Sequence, residues 1–338
     1  MGAISENGRR DRENNIEKMN WRPNSEIHLA RARQQMIQRI RDYFLHEGVT
    51  EVCTPALTST AVTDPSISSL QVSNNDKSGF LQTSPEFAMK RLLAAGYPDI
   101  YQICQVFRGN ESGRRHLLEF TMVEWYRLNF TLQNIIDDTI QLLKTLLGDQ
   151  ARQPPILISY SEAFENALGI DPLVISSQEL ANMLKADENL CDAMNADHDA
   201  WLDLAMATCV APSFPVDQLT IVSHFPASQA SLAQLCPIDN CLADRFEVFF
   251  GTTELANGFV ELTDATEQRK RFKNEQEKRL RNGQSIPMID DALIASLEEG
   301  LPPCAGVALG VDRALMVAEG IDDINQVVTF TPELHHDL

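Results

Sequence analysis

The apolar positions along the chain change period several times, and each change marks an element. From Ser25 to about Glu47, Ile37, Ile40 and Phe44 recur on one helical face, with Ser25 as cap and Gly48 as stop. The run from Val49 to Pro55 reads as a strand ending at a proline. Ser84-Pro85-Glu86 opens a second helix, with serine at the cap and proline at the first position, closing at Gly96. Ile100–Phe107 and Phe120–Leu128 alternate as strands around a polar turn rich in Gly and Arg, which predicts a hairpin. Leu132–Leu147 is an amphipathic helix. Strands follow at Leu219–His224, Arg245–Phe250 and Glu254–Thr263. Next come a charged helix over Ala265–Asn282, a loop to about Leu301, a small-residue strand at Gly306–Val311, and a helix over Asp312–Glu319 closed by Gly320. Helices followed by antiparallel strands, without βαβ alternation or repeats, predict an α+β fold: an antiparallel sheet flanked by helices.

Two segments depart from this pattern. Residues 1–20 are rich in Arg, Glu and Asn and almost devoid of apolar side chains, which predicts a disordered tail before a domain over 21–338. Gln178–Asp203 carries seven acidic residues and one Lys, which predicts a helical, acidic surface insertion around 150–215.

Composition narrows the function. The 338 residues are 43% apolar and 22% charged, ordinary for a soluble globular chain. With 28 basic against 48 acidic side chains the net charge is −20, which makes the chain a poor general binder of nucleic acid while leaving room for a local basic face. The first eighteen residues lack the apolar core of a signal peptide, and no run suits a membrane span, so a cytoplasmic location and no membrane partner are expected. Seven cysteines without a CxxC pair predict reduced thiols and no zinc site.

Three constellations carry chemistry. In the hairpin from Val106 to Phe120, Arg108, Arg114, Arg115 and His116 crowd one turn beside glycines, an arrangement suited to phosphate. In the following strand Phe120, Glu124 and Tyr126 share a face. The plain alternative is a solvated basic hairpin. The second constellation is Glu247 with Glu254, Asn257, Phe259 and Glu261. Carboxylates on strands are costly unless paired or metal-bound, and two of them can hold Mg²⁺ against phosphates; the alternative is edge charges facing water. The third is Gly306-Val-Ala-Leu-Gly310-Val-Asp-Arg313. There a glycine-rich strand runs into a helix whose first turn holds an arginine; glycines clear room for a flat ligand, and the alternative is simple packing.

Together and in this order, the three resemble the catalytic domain of class II aminoacyl-tRNA synthetases, and within them the lysyl enzymes, over roughly residues 25–330. The Pro55 strand is similar to that class's first motif, a dimer interface, so a homodimer is expected. The Arg108 hairpin through Glu124 is similar to the second motif, and Gly306 to Arg313 to the third. Thr83 to Leu93 and Glu254 to Asp264 resemble the lysine-pocket segments. A lysyl-tRNA synthetase also has an N-terminal anticodon domain, for which this chain, with motifs beginning almost at once, leaves no room. The resemblance is therefore closest to the free-standing paralogues, the elongation factor P–(R)-β-lysine ligases. It rests on His224-Phe-Pro-Ala-Ser-Gln-Ala-Ser-Leu-Ala233, on Glu254-Leu-Ala-Asn-Gly-Phe259, and on Ala308, where lysyl-tRNA synthetases typically have Gly.

The resemblance implies an ATP-dependent ligase. It would activate (R)-β-lysine, or lysine, as an aminoacyl-adenylate and pass it to a lysine of elongation factor P, with no tRNA. It assigns catalysis to Arg108, on the α-phosphate and substrate carboxylate, and Arg313, on the β/γ-phosphates. Nucleotide contacts would come from these two and from Gly109, Asn110, Glu111, His116, Leu117, Phe120, Glu254, Leu255 and Gly310, with Phe120 and Arg313 sandwiching adenine. Glu247 and Glu254 would carry Mg²⁺. The diamino acid would meet Ser84, Pro85, Glu86, Glu124, Tyr126, Asn257, Phe259, Glu261 and Ala308, whose methyl trades an α- for a β-amino substrate by roughly 10–200-fold. Two departures stand out: Gly109-Asn110 where the family has Asn-Glu, with Glu111 one place later, and Leu117-Leu118 after His116 where it has Asn-Pro. Competing expectations are tRNA charging, a catalytically silent regulatory paralogue, and an asparagine-synthetase-like amide-forming enzyme. Finally, Arg269, Lys270, Arg271, Lys273, Lys278, Arg279 and Arg281 crowd one helix, readable as a solvated face or a docking face for an acidic acceptor.

Overall fold

The computed structural model describes residues 21–194 and 197–332; the predicted tail, 1–20, lies outside the described residues. In chain order the elements are α1 (Ile27–His46), β1 (Thr50–Glu51), β2 (Leu57–Thr58), β3 (Gln71–Asn74), β4 (Lys77–Leu81), α2 (Glu86–Ala94), β5 (Ile100–Phe107), β6 (Glu119–Leu128) and α3 (Leu132–Leu147). Then come β7 (Ile156–Ser159), α4 (Tyr160–Leu168), α5 (Ser177–Met183), α6 (Glu188–Met194), α7 (His198–Ala205), β8 (Leu219–Pro226), β9 (Leu242–Phe250) and β10 (Thr253–Val260). The last are α8 (Ala265–Arg281), α9 (Asp291–Gly300), β11 (Cys304–Gly310) and α10 (Val311–Glu319).

Eight strands form one sheet in the order β1-β5-β6-β11-β10-β9-β8-β7. The α+β expectation holds, with one correction: the inner pairs are antiparallel, but both outer pairs, β1–β5 and β7–β8, are parallel. A parallel neighbour needs a long crossover, and these are the two long excursions of the chain. The first carries α2 and a separate three-stranded sheet, β2-β4-β3, whose Asn75 turn has φ +52°. The second carries α4 to α7. Where the sequence suggests an acidic surface insertion, these helices bury Tyr160, Phe164 and Trp201 against Phe225 and Phe249 of β8 and β9.

Period-two alternation gives the sheet two distinct faces. Val123 and Trp125 of β6 and Val307 and Leu309 of β11 pack on Ile135, Ile136, Ile140 and Leu143 of α3 and on Phe44 of α1. Thr131 and Asn134 close α3's N-terminus reciprocally as a capping box. The other face, flanked by α2, α8 and α9, carries the polar residues.

Several boundaries differ from expectation for local reasons. The Val49–Pro55 strand shrinks to Thr50–Glu51: Thr54 N–H donates to the Gln102 side chain (3.0 Å), and Pro55 has no N–H. Glu26, not Ser25, occupies the N-cap of α1, and Pro85, not Ser84, that of α2; Ser84 Oγ accepts from Glu86 N–H instead (3.3 Å). The expected loop before Leu301 contains α9. Asp290 caps it by accepting from Leu293 N–H (2.9 Å), and it buries Leu293, Ile294 and Leu297. No helix among the described residues is long and apolar enough to cross a membrane.

One buried carboxylate ties α10 to the sheet. Asp312 Oδ2 accepts from Thr121 N–H at 2.7 Å, just beyond the end of β11, while Oδ1 pairs with Arg33 of α1. Asp312→Ala would leave the buried Thr121 amide unpartnered and Arg33 without its counter-charge, holding only the Thr121 hydroxyl. It is expected to lower stability by about 2–4 kcal/mol, measured as the urea-unfolding midpoint at unchanged slope.

Candidate active site

Strand register assembles the polar face into two adjacent rows. Glu124, Ala308, Asn257 and Glu247 stand opposite one another across β6, β11, β10 and β9. Tyr126, Gly306, Phe259 and Arg245 form the next row. Over this floor lies a cavity of about 190 Å³, which collects Ser84, Glu86, Glu124, Tyr126, Asn257, Phe259, Glu261 and Ala308 of the expected substrate set. Pro85 is not brought in; it lines a neighbouring groove.

The cavity is short of positive charge. Lys90, buried on α2, places Nζ 2.7 Å from Glu86 Oε1 and 2.5 Å from Glu261 Oε2, and 5.5 Å from the Phe259 ring centre. Burial works to lower its pKa, but the charges of Glu261 and Glu86 outweigh it and raise the value, so Lys90 stays an ammonium. Glu124 Oε1 accepts from Tyr126 O–H at 2.7 Å. Burial, then the charge of Glu86, pushes the Glu124 pKa well above the carboxylate range. Burial raises Glu261 as well, against the opposing charge of Lys90. Glu124 Oε2 and Glu261 Oε1 are buried without hydrogen-bond partners among the described residues. Three carboxylates around one ammonium, two of them with an orphaned oxygen, leave hydrogen-bonding capacity that added ammonium groups would fill.

Sequence reasoning missed Lys90. Its signal was the i,i+4 spacing from Glu86 on a helix. Arg245 was missed too. It donates to Glu247 Oε1 (2.6 Å), Asn257 Oδ1 (3.3 Å) and Gln229 O (2.7 Å), and stands two residues before Glu247 on the same strand face.

Gly306 is where backbone must give way, but not to a ligand. A Cβ there would meet Tyr126 Cε1 at 2.4 Å and Glu261 Oε1 at 2.6 Å. The room cleared by this glycine is filled by the chain's own side chains, which corrects the reading of a flat-ligand slot at that residue.

A second cavity, about 230 Å³, abuts the first and shares Arg108, Asn257 and Ala308 with it. It collects Glu111, His116, Leu117, Phe120, Glu254, Leu255, Gly310 and Arg313. Arg108 stands at the junction, its guanidinium 5.3 Å from the Phe120 ring centre and 3.7 Å from Glu111. Arg313 is braced by donation to Glu254 O and Arg115 O, both at 3.1 Å. Burial, then the charge of Arg313, lowers the His116 pKa, which favours a neutral ring. Two arginines with Arg115, against Glu111 and Glu254, suit a polyanion.

Gly109 and Asn110 do not line this cavity. Gly109 N–H donates to Ser68 O at 2.7 Å, and a Cβ there would come within 2.9 Å of Ser68 Oγ. Asn110 turns the chain at φ +63°, and Glu111 reaches the space instead. Glu247 also stands outside it, paired with Arg245. Burial raises its pKa, with Arg245 opposing and the charge of nearby Glu254 adding to the rise. Glu254, which lines the cavity, offers the kind of carboxylate oxygen that Mg²⁺ takes, while Glu247 is held by Arg245 outside it.

The docking-face reading of the basic helix is overturned for its inner side. Arg279 is buried and donates to Thr63 O (2.8 Å), Asp64 O (2.6 Å) and Ile67 O (2.8 Å); Arg271 donates to Ser231 O (2.9 Å) and Ala233 O (2.7 Å). Loop carbonyls without strand partners need donors, and guanidinium groups supply several each. Both arginines hold loops at the rim of the first cavity.

The family model for class II tRNA synthetases (D, K and N) matches residues 12–333, and the chain belongs to that family. Among its relatives is the elongation factor P–(R)-β-lysine ligase of Avibacterium paragallinarum, 41% identical over 319 residues, 93% of this chain and 98% of that protein. The protein of the same name from Pseudoalteromonas translucida (strain TAC 125) is 44% identical over 322 residues, covering 92% and 97%. That of Klebsiella pneumoniae (strain 342) is 43% identical over 319 residues, covering 92% and 97%.

Gly306→Ala is expected to displace Tyr126 and Glu261, costing about 1–3 kcal/mol of stability and the binding of a diamino acid, with nucleotide binding kept. Calorimetric titration of each ligand checks this.

Proposed function

We propose that this chain is an ATP-dependent ligase that activates (R)-β-lysine, or lysine, as an adenylate and transfers it to a lysine side chain of elongation factor P. The observation that carries the reading is the meeting of two unlike cavities at Arg108: one where Asp64, Glu86, Glu124, Glu261 and Glu275 outnumber Arg108 and Arg245, the other gathering Arg108, Arg115 and Arg313 around a shared space. A diamino acid and a nucleotide triphosphate would meet there. The names of the relatives supply the acceptor and the isomer.

In the first step a carboxylate oxygen of the amino acid attacks the α-phosphorus of ATP. The bond from that phosphorus to the bridging oxygen breaks, and pyrophosphate leaves. Arg108, reaching both cavities, neutralises the two anions as they approach; Arg313 holds the outer phosphates. In the second step the neutral acceptor amine attacks the adenylate carbonyl, the amide bond forms, AMP leaves with the bonding pair, and the amine proton passes to solvent. Alignment and charge stabilisation supply the catalysis. Glu254, with Glu247 behind it, would hold Mg²⁺, which offsets phosphate charge when bound. Glu86, Glu124 and Glu261 set selection for two ammonium groups, since Lys90 balances only part of their charge. The acceptor approaches along a groove of about 630 Å³ that shares Asp64, Ser231, Arg245 and Glu275 with the amino-acid cavity; its lining mixes Asp203 and Glu277 with Arg271, Lys278 and Arg281, so it offers partners to both an incoming lysine and acidic side chains around it.

The direct test is the intact mass of elongation factor P after incubation with this chain, ATP, Mg²⁺ and (R)-β-lysine, with α-lysine in parallel. A gain of one lysyl residue, larger with one isomer, is expected. Neither a mass gain nor pyrophosphate release would reject the reading in favour of a silent paralogue.

Proton linkage gives a second expectation. Glu124, its pKa raised, binds a proton in the empty cavity that an ammonium ligand displaces. Amino-acid affinity should therefore rise with pH from about 6 until the raised pKa is passed, by at most about tenfold per unit for one proton. The empty protein's stability should fall over the same range, because its raised carboxyl holds a proton that the unfolded chain has already lost. Titration calorimetry in buffers of differing ionisation enthalpy reads the released proton.

A further inference from the structure

We propose that His224, Cys236 and Asp244 bind one zinc-class divalent cation, which clips the neck of the loop that walls the amino-acid cavity. One donor atom from each lies within 4.8 Å of the others. Small rotations bring that spacing to the edge of a tetrahedral zinc site, about 3.5 Å for ligand bonds near 2.0–2.3 Å.

Two irregularities of the sheet create the cluster. Between β8 and β9 the register runs from Ser223–Phe246 to Phe225–Ala243, so His224 faces two residues, one of them Asp244. His224 adopts φ +59°, a left-handed backbone uncommon outside glycine, and the bulge re-aims its side chain. On the other side of β9, Leu235 pairs with Ala243; Cys236 and Asp244 flank that pair and so point to one face. The CxxC spacing that would announce zinc is absent because the ligands meet through a bulge and an isolated bridge.

The ligands are already oriented. His224 Nδ1 lies 3.1 Å from Ser223 Oγ, which leaves Nε2 as the nitrogen available to an ion. Asp244 Oδ2 accepts from Gln234 Nε2 at 2.9 Å, leaving Oδ1. Second partners of this kind fix ring and carboxylate at metal centres. A nitrogen, a sulfur and an oxygen donor suit zinc rather than Mg²⁺ or Ca²⁺, with water completing the tetrahedron. Binding is not a redox step: the Cys236 thiol loses its proton to solvent and binds as thiolate.

The placement gives the ion a task. His224 and Cys236 stand at the two ends of segment 225–235, which supplies Ser231 and Leu232 to the amino-acid cavity. Arg245 and Arg271 hold its carbonyls; a cation would lock its neck.

The test needs no ligase activity. The full chain, stripped with a chelator, is titrated with Co²⁺ and followed by absorption. Expected is a thiolate-to-cobalt band in the near ultraviolet that saturates at one equivalent and is displaced by Zn²⁺. Cys236→Ser should abolish the band and weaken Co²⁺ binding more than about tenfold. Cys241→Ser, at an exposed neighbour, should leave both unchanged. His224→Asn, which tolerates the left-handed backbone, should weaken binding in the same way and serves if Cys236→Ser folds poorly. No band at one equivalent, a band that survives Cys236→Ser, or undiminished binding in His224→Asn would overturn the proposal.

Discussion

Lys90 carries one positive charge into a space ringed by Glu86, Glu124 and Glu261. Ionised carboxylates removed from water are tolerated only where something compensates them. Lys90 compensates in part. The remainder is expressed as a raised Glu124 pKa and as an oxygen on each of two glutamates that is orphaned among the described residues. Much of the surrounding architecture serves this arrangement. Central strands put Glu124 in the floor, α2 places Glu86 and Lys90 one helical turn apart, and a glycine at 306 lets Tyr126 and Glu261 close in.

The same sheet brings the second cavity into register with the first. Asp312 fixes the start of α10 against β6, so Arg313 and Phe120 stand in one space rather than on independently moving elements. Arg279 and Arg271 do for the loops what Asp312 does for the helix: they satisfy backbone carbonyls that no strand pairs. Long-range order in the site thus rests on a few polar side chains bonded to backbone rather than on ion pairs at the surface, which contribute little.

Much of this was legible in the chain. Alternation along β6, β10 and β11 announced which residues share a face, and register then placed Glu124, Ala308 and Asn257 side by side. Helix α3 was readable to the residue, because its apolar stripe and its Thr131 cap agree. What escaped notice depends on partners distant in sequence. Lys90 looks like an ordinary helical lysine until Glu261, just past the end of β10, comes against it. Gly109 looks like a phosphate-loop glycine until Ser68 is seen against it. Arg279 looks solvated until the 62–67 segment folds over it. The parallel outer strands followed from crossovers whose destination no local pattern encodes. Helix α9 is a different case, since the Asp290 cap and the spacing of Leu293, Ile294 and Leu297 were present and went unread.

Positions 306 and 308 sit two residues apart on β11, and the strand's period turns both toward the same cavity. They differ sharply in what they tolerate. At 306 every side chain collides with the protein itself, so descent with modification is closed there by the fold. At 308 the Ala side chain lines space shared by both cavities. The two neighbouring positions on one strand face thus carry opposite mutational loads: one belongs to the packing, the other to the open space.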